Sequence, residues 1–253
     1  MESSGVTLFN AIMIETMGMC DNACYFCRYG QRRWQERRDG KVVVMSMNTI
    51  TQIVNSLVCL KYTGRVSYYG ISEPLLDARL PEILSFAKKS LPNAHHTIIT
   101  NGNLLNQEIA DLLFASGLDH MTVSAYDTAT WQRAHSIKGG YINVKDRRPS
   151  TGYHWENRGG NIVQLRGESV EGNCARPFTG MYIDARGKVL LCCADLFGDV
   201  VIGDVHDDDL NTIWFNPVFA RYRSLLSIGE RRSLELCASC DHDGRGHRRE
   251  GSE

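Results

Sequence analysis

Through the first half of the chain, short apolar runs alternate with amphipathic stretches. The runs Leu8–Glu15, Arg65–Tyr69, Thr97–Thr100 and Met121–Ala125 predict strands, and helical patterns lie between or after them at Asn48–Lys61, Leu80–Ser90, Gln107–Ser116 and Thr128–His135. Leu80, Ile83, Leu84 and Ala87 fall at i, i+3, i+4 and i+7, the spacing of one buried helix face. Strand–helix alternation implies right-handed crossovers and a parallel sheet or barrel, with its active site at the carboxyl ends of the strands. The pattern weakens after His135, where 139–173 is rich in Gly, Arg and Asn and offers only short strand candidates at Tyr141–Val144 and Asn161–Leu165. Too little chain remains there for two more strand–helix units, which excludes a complete eight-unit barrel.

Beyond Cys174 the character changes. Met181–Ile183 and Lys188–Leu191 flank Asp184-Ala185-Arg186-Gly187, a hairpin signal. Asp207–Asp209 precede a predicted helix, Leu210–Ile228, as acidic residues at a helix N-terminus should, and Pro217 predicts a break or kink within it. The fold class expected is therefore α/β: a parallel sheet or a partial, truncated (β/α) barrel over 1–150, then a linker and a small domain with a β-hairpin and helix over 151–240. The charged tail 241–253 reads as solvated or disordered.

Composition adds exclusions. The chain has 253 residues, 43% of them hydrophobic, and 28 Lys+Arg against 29 Asp+Glu. That balance speaks against a general nucleic-acid or membrane-surface role. No apolar run approaches the ~20 residues of a membrane span, and Met1-Glu2-Ser3-Ser4-Gly5 lacks the features of a signal peptide. Nine cysteines are the departure from the ordinary. An odd number in a long chain argues against a secreted disulfide framework and for metal or redox chemistry in a reducing cytoplasm.

Their spacing sorts them. Cys20, Cys24 and Cys27 form CxxxCxxC directly after the first predicted strand, so one loop can grip one metal centre. A closed zinc site needs a fourth ligand from elsewhere. An iron–sulfur cluster held by three cysteines keeps one iron open for a substrate or cofactor, and this is the sharper reading. Cys174, Cys192, Cys237 and Cys240 supply four more thiols, enough for a zinc ribbon or for a saturated iron–sulfur cluster. Cys193 follows a ligand candidate, and strand alternation points it to the opposite face, either as a structural thiol or as a hydrogen-atom donor. Cys59, in a helical apolar pattern, reads as core.

Cys20-Asp-Asn-Ala-Cys24-Tyr-Phe26-Cys27 is similar to the Cx3CxφC motif of the radical S-adenosylmethionine superfamily, with Phe26 at the aromatic position. Tyr69-Gly70-Ile-Ser-Glu73-Pro74 resembles that superfamily's GGEP-type motif, although Tyr69 replaces the first glycine and the Gly–Glu spacing is stretched. Thr100-Asn101-Gly102 resembles its TNG, and Ser124 ends the fourth predicted strand. The resemblance covers about residues 10 to 135. It implies a 4Fe-4S cluster on Cys20, Cys24 and Cys27, with S-adenosyl-L-methionine held by Phe26, Gly70, Glu73, Pro74, Asn101 and Ser124. For Asn101 and Ser124, simple strand-end capping is the competing reading. The C-terminal cysteines resemble the SPASM/twitch extensions, here the shorter twitch form with one auxiliary 4Fe-4S cluster on Cys174, Cys192, Cys237 and Cys240.

The layout is similar to that of the twitch enzymes of aminoglycoside biosynthesis, the 2-deoxy-scyllo-inosamine dehydrogenase type. That resemblance implies an oxidoreductase in which a 5′-deoxyadenosyl radical takes hydrogen from a small polyhydroxylated molecule, and the auxiliary cluster accepts an electron. It further implies an external one-electron reductant of flavodoxin or ferredoxin type, and no nucleic-acid or membrane partner. In the segment between the two cysteine groups, Arg158 could hydrogen-bond a hydroxyl, and Glu156 or His154 could accept a proton; Arg147 and Arg148 are weaker candidates. The alternatives are a peptide-modifying maturase, a radical epimerase using Cys193, and a non-enzymatic zinc-binding protein. The first is disfavoured because no leader-binding module fits before the first strand. The last leaves the Gly70–Pro74 and TNG placements unexplained.

Overall fold

The computed structural model describes residues 8–31, 42–165 and 169–247. Strands β1 (Ala11–Ile14), β2 (Arg65–Ser67), β3 (His95–Thr100), β4 (His120–Ala125) and β5 (Ile142–Asp146) are connected through helices α1 (Met47–Cys59), α2 (Leu80–Ser90), α3 (Gln107–Ala115) and α4 (Thr128–Ser136). These follow the predicted elements within a few residues. A short helix α5 (Arg176–Thr179) leads into β6 (Gly180–Ile183), β7 (Lys188–Leu190) and β8 (Val201–Asp204), and α6 (Leu210–Trp214) and α7 (Pro217–Ser227) follow. All eight strands form one open sheet in the order β5-β4-β3-β2-β1-β6-β7-β8.

The first six strands in that order are parallel, and β6 pairs directly with β1, Ile12 opposite Met181. The hairpin β6–β7 and strand β8 extend the sheet antiparallel. The sheet therefore runs without a break across position 150. The core crosses it too: Phe9 meets the fully buried Trp214 edge-on at 5.1 Å, and Trp214 meets Phe219.

Alternation along β1 gives the sheet two different faces. Ile12 and Ile14 pack into the main core with Ile50, Ile53 and Leu84 from the helices. Ala11 and Met13 point the other way, with Tyr182 and Leu190. Helix starts follow side-chain capping: Ser46, Asn106, Asp127 and Asp209 each accept a backbone N–H three residues on.

The break expected at Pro217 divides 210–228 into two helices, because Pro217 has no N–H to continue the first and instead starts the second, capped by Asn216. Other expectations are corrected. Asn161–Leu165 is no strand; it ends in a single 3-10 turn at Val163–Leu165. Strand β8 escaped notice because only Ile202 of its four residues is buried. Cys59 is exposed at the end of α1 and is not core. The tail is packed through residue 247: Ala175 N–H donates to Gly244 O at 2.7 Å and Asn10 Nδ2 to His247 O at 2.9 Å. Met1–Gly5 and the rest of the tail, 248–253, lie outside the described residues.

Candidate active site

The loop after β1 is folded by local constraints. Glu15, buried at the strand end, pairs with buried Arg28 at 2.7 Å and also accepts Ile71 N–H at 3.0 Å. One ion pair thus ties the far end of the cysteine loop to the loop after β2. Cys27 N–H donates to Cys24 O and Gly30 N–H to Cys27 O. A Cβ on Gly30 would sit 2.2 Å from Cys24 O, so the loop closes over that carbonyl only because residue 30 is glycine. Cys20, Cys24 and Cys27 consequently face one cavity of about 1430 Å³, counted with its open mouth.

The ends of β2, β3 and β4 supply the facing wall. Gly70, Glu73, Asn101 and Ser124 all line this cavity. Glu73 joins two strand ends, accepting Thr100 Oγ1 at 2.6 Å, Asn101 N–H at 2.7 Å and Leu75 N–H at 3.0 Å. Burial raises its carboxyl pKa to about 7 in spite of these donors. Asn101 Nδ2 donates to Asp21 Oδ1 at 2.6 Å, on the cysteine loop itself. Phe26 stacks on Trp155 with centroids 3.4 Å apart, and Tyr126 and Tyr153 complete an aromatic group beneath the Arg147 guanidinium. Pro74 does not line the cavity; it is buried at the start of the 3-10 turn that Glu73 caps.

Cys174, Cys192, Cys237 and Cys240 line a second cavity of about 520 Å³, again counted with its mouth. Among the described residues no three Cys, His, Asp or Glu side chains converge closely enough to hold a single ion. Each thiol set lines one cavity, three thiols leaving room for a further ligand and four able to saturate a centre. Burial raises Cys20 to about 12 and Cys24 to about 11, raises Cys27, and in the second cavity raises Cys192, Cys240 and Cys237, the last to about 12. Adjacent thiols push the same way, Cys27 on Cys24 and Cys240 on Cys237. Thiols so placed stay protonated at neutral pH unless a cationic centre compensates the thiolate charge.

Glu156, Arg158, Arg176 and Cys193 line both cavities. Burial works against the Arg158 charge, yet Cys193, Glu156 and Cys27 outweigh it and raise the pKa of the guanidinium. Arg176 donates to Cys193 Sγ and, at 3.0 Å, to His242 Nε2. Strand alternation would set Cys192 and Cys193 on opposite faces, yet both line the second cavity, because β7 ends at Leu190 and alternation no longer governs them. His154 is exposed and does not reach the cavity, because the turn aims Trp155 inward instead. Arg147 lines the cavity, whereas Arg148 pairs with Asp146 at 2.7 Å outside it.

Sequence reasoning missed Trp155, Tyr126, Arg176, Tyr182 and His247, all of which line the first cavity. The aromatic run Tyr153–Trp155 beside the candidate Glu156 was a usable signal for the first. His247 gave none, since it reaches the cavity only through the tertiary path of the tail.

Residues 14–128 match the family model of the radical SAM superfamily, and residues 174–241 match SPASM, an iron–sulfur cluster-binding domain. The chain is 24% identical over 245 residues to the S-adenosyl-L-methionine-dependent 2-deoxy-scyllo-inosamine dehydrogenase of Niallia circulans, covering 93% of this chain and 94% of that one. In fold it is similar to BtrN in complex with AdoMet and 2-DOIA, with a TM-score of 0.80 at 22% identity over 94% of each chain. It is also similar to anSMEcpe with bound AdoMet, with a TM-score of 0.61 at 11% identity over 92% of this chain and 89% of that one. No helix of the described residues is long and apolar enough to cross a membrane.

Proposed function

The chain is a radical S-adenosylmethionine protein with a C-terminal SPASM-type iron–sulfur domain, and from that premise we propose that it oxidises a secondary alcohol of a small polyhydroxylated substrate, an aminocyclitol or sugar, to a ketone. The setting would be natural-product biosynthesis of the aminoglycoside kind, as the name of the Niallia circulans relative suggests. One observation carries the reading: the two thiol-lined cavities meet at a common wall made of Glu156, Arg158, Arg176 and Cys193. A substrate at that wall lies between a site of hydrogen abstraction and a site of electron acceptance. When bound, the first cluster with S-adenosylmethionine supplies a 5′-deoxyadenosyl radical that removes one hydrogen atom, and the second cluster accepts the remaining electron.

The protein's own groups do the rest. Cys20, Cys24 and Cys27 hold the first 4Fe-4S cluster, and Cys174, Cys192, Cys237 and Cys240 the auxiliary one. Gly70, Glu73 and Asn101 offer acceptors and a carboxylate to the methionyl ammonium, and Phe26, Tyr126 and Trp155 offer aromatic faces to the adenine. Arg158 donates to the hydroxyl oxygen that becomes the carbonyl, favouring its alkoxide-like form. Glu156 takes the hydroxyl proton. Loss of a hydrogen atom, a proton and an electron converts the alcohol to the ketone. An external one-electron reductant of flavodoxin or ferredoxin type serves the first cluster, in a reducing compartment such as the cytoplasm.

Cys193 on the same wall supports a second reading, epimerisation by hydrogen-atom return from its thiol. Both readings are tested with anaerobically reconstituted protein and 2-deoxy-scyllo-inosamine. Wild type should hold about eight iron atoms per chain and form a ketone, and Cys193→Ala should keep doing so. Isolation of zinc with no iron would overturn the whole assignment. An inverted alcohol from wild type, lost in Cys193→Ala, would replace oxidation with epimerisation.

A further inference from the structure

Arg158 sits in an uncommon backbone conformation. Its φ is +54°, and Gly159 and Gly160 follow at +65° and +76°, three successive left-handed residues of which the first carries a side chain. Something outside the turn must hold it there. Asn157, fully buried, donates its backbone N–H to both carboxylate oxygens of Asp241 at 3.0 and 2.9 Å, and its side-chain Nδ2 to Ser239 O at 2.7 Å. Its Oδ1 accepts Gly160 N–H at 2.9 Å, which fixes the turn internally. The glycines press on the same partner: a Cβ on Gly159 would stand 2.7 Å from Leu236 O, and one on Gly160 2.7 Å from Ser239 Cβ.

These contacts of Asn157, Gly159 and Gly160 fall on residues 236–241, the loop that carries Cys237 and Cys240, while Asn161 Nδ2 separately bridges Arg158 O to Ala194 O. Two of the four auxiliary-site thiols and the Arg158 turn are thus parts of one hydrogen-bonded unit. We propose that Asn157 and Asp241 are positioning residues that couple occupancy of the auxiliary cluster site to the placement of Arg158 in the substrate cavity. Closing the 237–240 loop on its cluster fixes Ser239 O and the Asp241 carboxylate, and these hold Asn157 and the left-handed turn. By reciprocity, a ligand held by Arg158 stabilises the closed loop. The consequence for substrate rests on the role proposed for Arg158; the coupling of loop to turn does not.

Two measurements test it. In protein carrying Cys20→Ser, Cys24→Ser and Cys27→Ser, hydrogen exchange of the amides of 157–162 is followed with and without the auxiliary cluster loaded. Loading should slow exchange at Asn157 and Gly160 by tenfold or more, and Asp241→Ala should remove the slowing. Equal exchange in the loaded and empty protein would overturn the coupling, whatever Arg158 does. Binding of 2-deoxy-scyllo-inosamine to fully reconstituted protein with S-adenosylmethionine is then measured calorimetrically. Loss of a charge-assisted hydrogen bond in Arg158→Ala should weaken binding about 10- to 100-fold. Asp241→Ala should weaken it by a similar factor with iron content retained, and the double variant no further than either single one. Full affinity in Asp241→Ala alongside loss in Arg158→Ala would refute the proposed consequence for substrate. Full affinity in Arg158→Ala would instead refute the substrate role of Arg158 and leave the exchange result to decide the coupling.

Discussion

Replacing Glu73 with glutamine should change the shape of the protein's pH–stability curve more than its height. The carboxyl is 2% exposed, and burial moves its pKa from an ordinary 4.5 to about 7. Between those values the folded state binds a proton that the unfolded chain has released, so stability falls as pH rises through this window. The displacement corresponds to about 3 kcal/mol, all of it lost by pH 8. The amide introduced by Glu73→Gln cannot ionise, so the difference in unfolding free energy between the variant and wild type should move in the variant's favour by about 3 kcal/mol from pH 4 to pH 8. A constant offset is expected on top, because an amide N–H facing Asn101 N–H or Thr100 Oγ1 leaves a buried donor unpaired, at ~1–3 kcal/mol. Urea titrations of cluster-free protein at several pH values measure both terms. A difference that stays flat from pH 4 to pH 8 would refute the account of Glu73 as a buried carboxyl poised near neutrality. The same proton links to the cofactor: an ammonium beside Glu73 favours the carboxylate, so S-adenosylmethionine affinity should rise toward pH 7 in wild type and not in the variant.

Other perturbations address separate parts of the site. Gly30→Ala must displace the Cys24 carbonyl, so iron per chain should fall by about half with the auxiliary cluster retained; full iron content would show that the loop can yield. Arg28→Ala leaves Glu15 buried without its cation, which should cost about 3–5 kcal/mol in a denaturation experiment; a loss under about 1 kcal/mol would show that solvent reaches the carboxylate. Trp155→Ala removes the ring stacked on Phe26, so titration with S-adenosylmethionine should give weaker binding and lose most of the protein's fluorescence response; unchanged affinity would place the adenine elsewhere.

The parts of the molecule legible in the sequence are those governed by local pattern. Leu80–Ser90 declared its helix because its buried face repeats every three to four residues, and the structure gives the same bounds. The cysteine loop was legible because CxxxCxxC keeps three thiols within one short loop, and those three line one cavity while Cys174, Cys192, Cys237 and Cys240 line another. What stayed hidden depends on long-range closure. The pairing of β6 with β1 joins segments some 170 residues apart. His247 reaches the cavity because Thr179 Oγ1 and Asn10 hold its backbone, which no local periodicity encodes. Strand alternation, carried past Leu190, set Cys193 opposite Cys192, but β7 ends at Leu190 and both thiols line the second cavity.

Deuterium transfer tests the central claim most directly. Reconstituted enzyme, S-adenosylmethionine and a reductant would be incubated anaerobically with 2-deoxy-scyllo-inosamine deuterated at its carbinol carbons. Radical oxidation predicts 5′-deoxyadenosine carrying one deuterium for each ketone formed. Unlabelled 5′-deoxyadenosine with no carbonyl product would contradict abstraction from this class of substrate.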